Sequence, residues 1–207
     1  MTNHHVFPAF SRVLHWAMAA MILAMLFIGI GMVTSPGDYH RLVRIHRPLG
    51  ICILALVAVR LLYRVFNPPP PLPNDMPAWM RAAARSSHFA LYGLMFAQPL
   101  VGWAMLSAGA YPIVLYGPIH LPPIMPHIAP LYAVLRQAHT VLALLLFATF
   151  LAHLSAALTH ALIFRDRVFE SMAAVTLRRR GADHDGRESA ETLRVDGRGG
   201  GEAESPA

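Results

Sequence analysis

Twelve histidines stand in a chain of 207 residues that holds only 11 acidic ones, and their positions sort them. His4, His5 and His184 lie in polar ends, and His40, His120 and His127 lie in connecting stretches. His15, His46, His88, His139, His153 and His160 fall within or at the edges of long apolar runs. An ionisable or metal-binding side chain in such a run is costly to leave unpaired in hydrocarbon, so it is read first as functional. His139 and His153 are 14 residues apart on one run, which in a helix is a rise of about 21 Å and nearly four full turns. Both rings then face one side at two depths. His15 lies early in the first run and His46 early in the second. With runs of alternating direction, His15 shares the depth of His153 and His46 that of His139.

That pattern reads as two bis-histidine sites. Two imidazoles complete the axial positions of a haem iron, whereas zinc asks for about four ligands from the protein. The runs carry no acidic residues and the chain has one cysteine, Cys52, so two haem b groups are favoured over a protein-only metal site. No C-x-x-C-H occurs, which removes covalent haem attachment. Two such groups stacked across a bilayer would form a path for single electrons. The structural alternative is that a lone histidine in a membrane helix packs or hydrogen-bonds; four histidines matched in depth argue against it. His88 opens the third run at the inner depth, where it could replace His15 as a ligand or touch a propionate or a quinone. His160 follows His153 by seven residues, two turns nearer the cytoplasm on a similar face, and is a candidate partner for a quinone headgroup. Arg41, Arg44 and Arg47 surround the outer site, where they could pair with haem propionates or attract a small anion; headgroup contact is the bland reading. Cys52 reads as a small buried hydrophobe.

The elements that must hold these residues follow from composition. Hydrophobic residues make up 56% of the chain and charged ones 14%, with a mean hydropathy of +0.46, against roughly 45–50% apolar residues in soluble domains. The expected fold is all-α, a four-transmembrane-helix bundle with helices over about residues 10–33, 45–66, 86–107 and 132–164, each at least as long as the about 20 residues a bilayer asks for. The first run is too long for a cleaved secretory signal and should stay as a helix. Arg60 and Arg64 near the end of the second span should snorkel to the interface. A proline-rich connector follows, then a short surface segment over about residues 78–85. Pro99 should kink the third helix, and the proline-interrupted stretch from Gly109 to Pro130 should form a loop folded over one end of the bundle. Residues 1–173 are expected to form the membrane domain and 174–207 a disordered tail. All 17 basic residues are arginine. Their excess at both termini and at the connector places those segments, and both termini, in the cytoplasm. The net charge of +6 therefore reflects membrane topology, and no nucleic-acid partner is expected.

Phe10-Ser11-Arg12-Val13-Leu14-His15-Trp16, then His46 with Gly50, Arg60-Leu61-Leu62-Tyr63-Arg64, Ser87-His88, Pro99-Leu100-Val101-Gly102, Ala138-His139 and Ala152-His153 through His160 to Arg165-Asp166 occur in one order. This series resembles the bacterial cytochrome b561 family over about residues 8–173. The resemblance implies a multi-pass dihaem b protein of the bacterial inner (plasma) membrane, with His15, His46, His139 and His153 as haem ligands. It also implies electron transfer between ubiquinone and an outer-side reactant, which in some members is superoxide. An electron-transfer subunit serving a periplasmic dehydrogenase or hydrogenase is the alternative, with the apolar loop as its docking surface. A haem-free membrane protein that binds a transition metal or a proton is the third reading.

Overall fold

The computed structural model describes residues 7–68 and 76–165 together with Met172. Most of the proline-rich connector and the expected charged tail lie outside the described residues. Among the described residues, four helices are each long and apolar enough to cross a membrane. They are α1 (Ala9–Thr34), α2 (Tyr39–Phe66), α3 (Ala78–Ala108) and α4 (Ala129–Thr159), and α4 runs on into a π-helical turn over His160–Phe164. Proline punctuates them: Pro8 precedes α1, Pro77 precedes α3, and Pro130 sits in the first turn of α4, where a missing N–H is harmless. Pro48 and Pro99 lie inside α2 and α3, and both helices continue through them. Within a bilayer, neighbouring helices and local adjustment satisfy the backbone groups a proline frees.

Element bounds differ from those expected in three places. The second helix begins at Tyr39 after a 3-10 turn over Pro36–Asp38, so Arg41 and Arg44 stand on a helix and not in a loop. The surface segment around residues 78–85 is the first part of α3; no breaker separates it from the span. The loop before α4 contains an antiparallel hairpin of β1 (Ile113–Tyr116) and β2 (Ile119–Leu121), which pairs Ile113 with Leu121 and Val114 with His120. Its turn falls at Gly117, whose φ of 50° suits glycine, followed by Pro118.

Helices adjacent in sequence pack side by side, α1 on α2, α2 on α3 and α3 on α4, whereas α4 makes no comparably extensive backbone approach to α1 or α2. Between α4 and the first two helices there is thus room for side chains or a larger group. Met18 and Ile22 of α1, Ile53 and Val57 of α2, Met95 of α3 and Leu146 of α4 are buried together. Leu146 is seven residues from both His139 and His153, so this core lies midway between the two histidine levels. Elsewhere the helices turn apolar surface outward, Val13 at 67% and Phe27 at 66% exposure. Large apolar faces left bare on a single chain mark contact with lipid or another protein. Cys52, expected to be buried, is exposed on this surface; in a bilayer the apolar solvent makes either side equally suitable for a thiol.

The hairpin region is clamped to the bundle end. The indole Nε1 of Trp103 donates to Pro122 O at 2.9 Å, and Ile124 N–H donates to Ser107 Oγ at 3.1 Å. Ser107 in turn donates to Trp103 O at 2.9 Å, while Arg47 Nη1 of α2 donates to Pro112 O at 3.1 Å. Ile128 N–H closes the loop on Ala108 O at 3.1 Å.

Candidate functional site

Two levels of facing imidazoles occupy the bundle interior. At the hairpin end, His46 of α2 and His139 of α4 have ring centroids 6.2 Å apart at 66°. At the end where the chain enters α1, His15 of α1 and His153 of α4 are 6.4 Å apart at 77°, and His88 of α3 lies 5.2 Å from His153. The pairing expected from the 14-residue spacing is therefore a spatial pairing as well. A first-row metal held between two opposed imidazoles stands about 2.0–2.1 Å from each nitrogen, and each nitrogen about 1.1 Å from its ring centre, so the centres are about 6.2–6.4 Å apart. Both pairs have that separation. The His88–His153 pair is about 1 Å too close for it, so His15 and not His88 suits the role opposite His153.

Local contacts fix these rings. Ser87 Oγ, on the turn of α3 next to His88, hydrogen-bonds His153 Nδ1 at 3.4 Å, which leaves Nε2 for a ligand, the usual division of labour in a metal-bound imidazole. Gln98 Nε2 donates to His139 O at 3.1 Å and ties α3 to α4 at the other level. Gly102 makes room for the His139 ring: a Cβ there would sit 3.1 Å from Cε1. His46 Nδ1 and His139 Nδ1 are buried without a hydrogen-bond partner. Buried polar atoms left unsatisfied by protein are unfavourable unless something brought from outside meets them. Among the described residues no group of three or more histidine, cysteine or acidic side chains is arranged to hold a metal ion, so a centre here needs its remaining ligands from elsewhere. A porphyrin, which brings four of its own, fits this donor set.

The other expected residues divide. Arg47, half-buried beside His46, holds the hairpin through Pro112 and keeps a buried Nε unsatisfied. Arg44 Nε donates to His40 O one turn back at 3.2 Å, and both Arg41 and Arg44 are exposed, so they form a positive rim and not part of the interior. His160 opens the π-helical turn, with its ring 5.3 Å from Phe164; a π-turn re-aims side chains and is frequent at functional positions. Arg60, expected to snorkel outward, is instead 9% exposed inside the bundle, where its Nε donates to Tyr92 Oη at 2.9 Å. Only its spacing of 14 residues from His46 on α2, the same as between the two α4 histidines, could have shown this beforehand.

Four spanning helices that carry opposed imidazoles at two depths define a polytopic membrane protein of the kind that holds haem between helices. Residues 6–174 match the model of the family described as Prokaryotic cytochrome b561, and the chain belongs to that family. Its members are transmembrane electron carriers, and membership implies haem b. The chain is 37% identical over 116 residues to "Cytochrome b561 homolog 2" of Escherichia coli, an alignment spanning 54% of this chain and 61% of that relative. It is 28% identical over 143 residues to "Probable superoxide oxidase CybB" of Yersinia pestis, covering 67% of this chain and 78% of that protein. The protein is accordingly a bacterial membrane protein.

Proposed function

We propose that this chain moves single electrons across the inner membrane on two haem b groups, one held by His15 and His153 and the other by His46 and His139. It connects an outer-side reactant with ubiquinone, and the leading reaction is superoxide oxidation coupled to ubiquinone reduction. The observation that carries this reading is the pair of metal-spanning imidazole separations, 6.4 and 6.2 Å, set one above the other on α4. Haem b supplies reversible one-electron chemistry at its iron when bound. The chain's own residues hold and orient: Ser87 steadies His153, Gly102 admits His139, and the Leu146 cluster keeps water from the space between levels. The arginine distribution puts both termini in the cytoplasm, so the His46 level and its rim of Arg41 and Arg44 face outward. A positive rim raises the local concentration of an anionic reactant. Two superoxide anions give up one electron each and leave as oxygen, and ubiquinone takes both electrons with two protons. His88 at the inner level and His160 two turns nearer the cytoplasm are the candidate partners of the quinone headgroup. The relative named as a probable superoxide oxidase supports the choice of outer reactant.

A second reading rests on the hairpin, where Tyr116 and Ile119 are 83% and 57% exposed. Such an apolar tip suits docking of a periplasmic electron-transfer partner, with the chain as its membrane subunit. For the haem-free metal reading, no group of three or more ligating side chains is arranged to hold an ion among the described residues. Quantified haem in the purified protein, with its reduced-minus-oxidised spectrum, tests the proposal. The expected result is two b haems per chain, one of them lost in each of His15→Ala, His46→Ala, His139→Ala and His153→Ala, and both kept in His88→Ala. A preparation without haem, or one haem indifferent to all five changes, overturns it. Superoxide-driven quinone reduction by the purified chain, against co-purification with a partner and little activity alone, then separates the two functional readings.

A further inference from the structure

Arg60 is the most deeply buried charge in the described structure, at 9% exposure. Its Nε donates to Tyr92 Oη at 2.9 Å, but its Nη1 is buried with no partner. A carboxylate from the chain would normally stand there, since a guanidinium withdrawn from water is held by an anion. None is at hand: among the described residues Asp38 is the only acidic side chain, and it lies before the first turn of α2, at the opposite end of that helix from Arg60. Among the described residues the guanidinium therefore has no anion to hold it.

Position indicates which anion. Arg60 follows His46 by 14 residues on α2, as His153 follows His139 on α4, and that interval restores the same helix face about 21 Å further on. The face of α2 that carries a histidine at one level thus carries an arginine at the other. Its hydrogen-bond partner Tyr92 is one turn beyond His88 on α3, and the Arg60 charge is within electrostatic reach of the His15, His88 and His153 rings. Arg60 and Tyr92 line a small cavity with Phe7, Ser11, Arg64 and Asn67, of about 10 Å³, which is room for about one water molecule. A phospholipid headgroup is too large for it, whereas the carboxylate end of a slender chain reaching from within the bundle is of the right size and charge.

We infer that Arg60, oriented by Tyr92, is a carboxylate-binding residue that pairs with a propionate of the haem held by His15 and His153. The inference rests on the two-haem reading above, and it adds a fixed point that sets how that haem is turned about its axial bonds. A planar guanidinium presenting paired N–H donors suits a carboxylate in a way an ammonium does not.

The test compares haem with its dimethyl ester, in which both carboxylates are masked, titrated into membranes from haem-depleted cells that hold the full chain. Wild type should bind the ester about 10- to 100-fold more weakly than haem at the His15–His153 level, the range seen when an outer contact to a bound centre is removed. Arg60→Gln should weaken haem by a similar factor and abolish the difference between haem and ester at that level. Haem uptake at the His46–His139 level, unchanged in Arg60→Gln, serves as the folding control. Tyr92→Phe, which keeps the charge but loses its orienting bond, should fall between wild type and Arg60→Gln. An undiminished preference for haem over ester in Arg60→Gln overturns the inference. So does an Arg60→Gln effect that appears only in vesicles containing anionic phosphatidylglycerol and vanishes in phosphatidylcholine, because a lipid phosphate would then be the partner. If His15→Ala and His153→Ala take up two haems as wild type does, the underlying ligand reading has failed; if they lose one and Arg60→Gln shows no coupling to the ester, only the Arg60 assignment has.

Discussion

Alanine at Gly102 would place a Cβ 3.1 Å from His139 Cε1 and 3.4 Å from its Nδ1. The closer approach is tighter than ordinary packing, so the imidazole has to yield by a few tenths of an ångström. It has little freedom to do so, because Gln98 ties the backbone of His139 to α3 at that level. Overpacking of this kind costs about 1–3 kcal/mol, set against a gain of up to about 1 kcal/mol from replacing glycine within a helix. Gly93, on the same helix, supplies the control: a Cβ there meets nothing within 4 Å, so Gly93→Ala should show the helix gain alone. Under the proposed two-haem reading, the difference between the two variants isolates the crowding of His139, equivalent to about 5- to 150-fold in retention of the haem assigned to the His46–His139 level. Gly102→Val, with two further carbons, should remove that haem and leave the one at His15 and His153. The assay is haem occupancy of each level, resolved by spectrum and redox titration, during thermal and denaturant challenge in detergent. Two haems of unaltered spectrum and stability in Gly102→Val would refute the reasoning.

Under the same reading, Ser87→Ala removes the hydrogen bond to His153 Nδ1 and should weaken the haem assigned to the His15–His153 level by about 10-fold, the low end for an outer contact; redox titration should show that component shifted and the other unmoved. Gly109→Ala would bring a Cβ to 2.6 Å from Tyr111 and 2.9 Å from Tyr132, so the end of α3 must rearrange. A lower melting temperature with both haem spectra intact is expected, and an unchanged melting temperature would show that the tyrosines move freely. Ser107→Ala removes the bond that ties the Ile124 N–H to the buried Ser107 and should cost about 0.5–1.5 kcal/mol, read as faster hydrogen exchange across the hairpin. Under the superoxide reading, the rate should fall with rising salt as screening shortens the reach of the exposed Arg41 and Arg44, and the slope should flatten in Arg41→Gln/Arg44→Gln. An identical slope in that variant would remove the rim from the mechanism.

Much of the arrangement was legible in the sequence because hydrocarbon imposes simple rules. A bilayer sets the length of each apolar run, proline marks most of the ends, and the 14-residue interval of α4 puts His139 and His153 on one face whatever surrounds them. Given alternating helices, the depth of His15 and His46 follows. What these rules do not carry is the lateral order of the helices. A helix in water shows its buried side by an apolar stripe, but here lipid and core are equally apolar, so α1 to α4 bear no clear mark of which face turns inward. For that reason Cys52 was expected in the core when it stands on the exposed surface, and Arg60 was expected to reach outward when packing buries it inside the bundle. Only the tertiary structure decided that His15, not His88, has the separation from His153 that suits a metal between them. It likewise decided that Gly102 yields its space to His139 and that the loop before α4 folds as a hairpin bound to the end of α3. Each of these depends on neighbours far apart in the chain, and local propensity has no term for them.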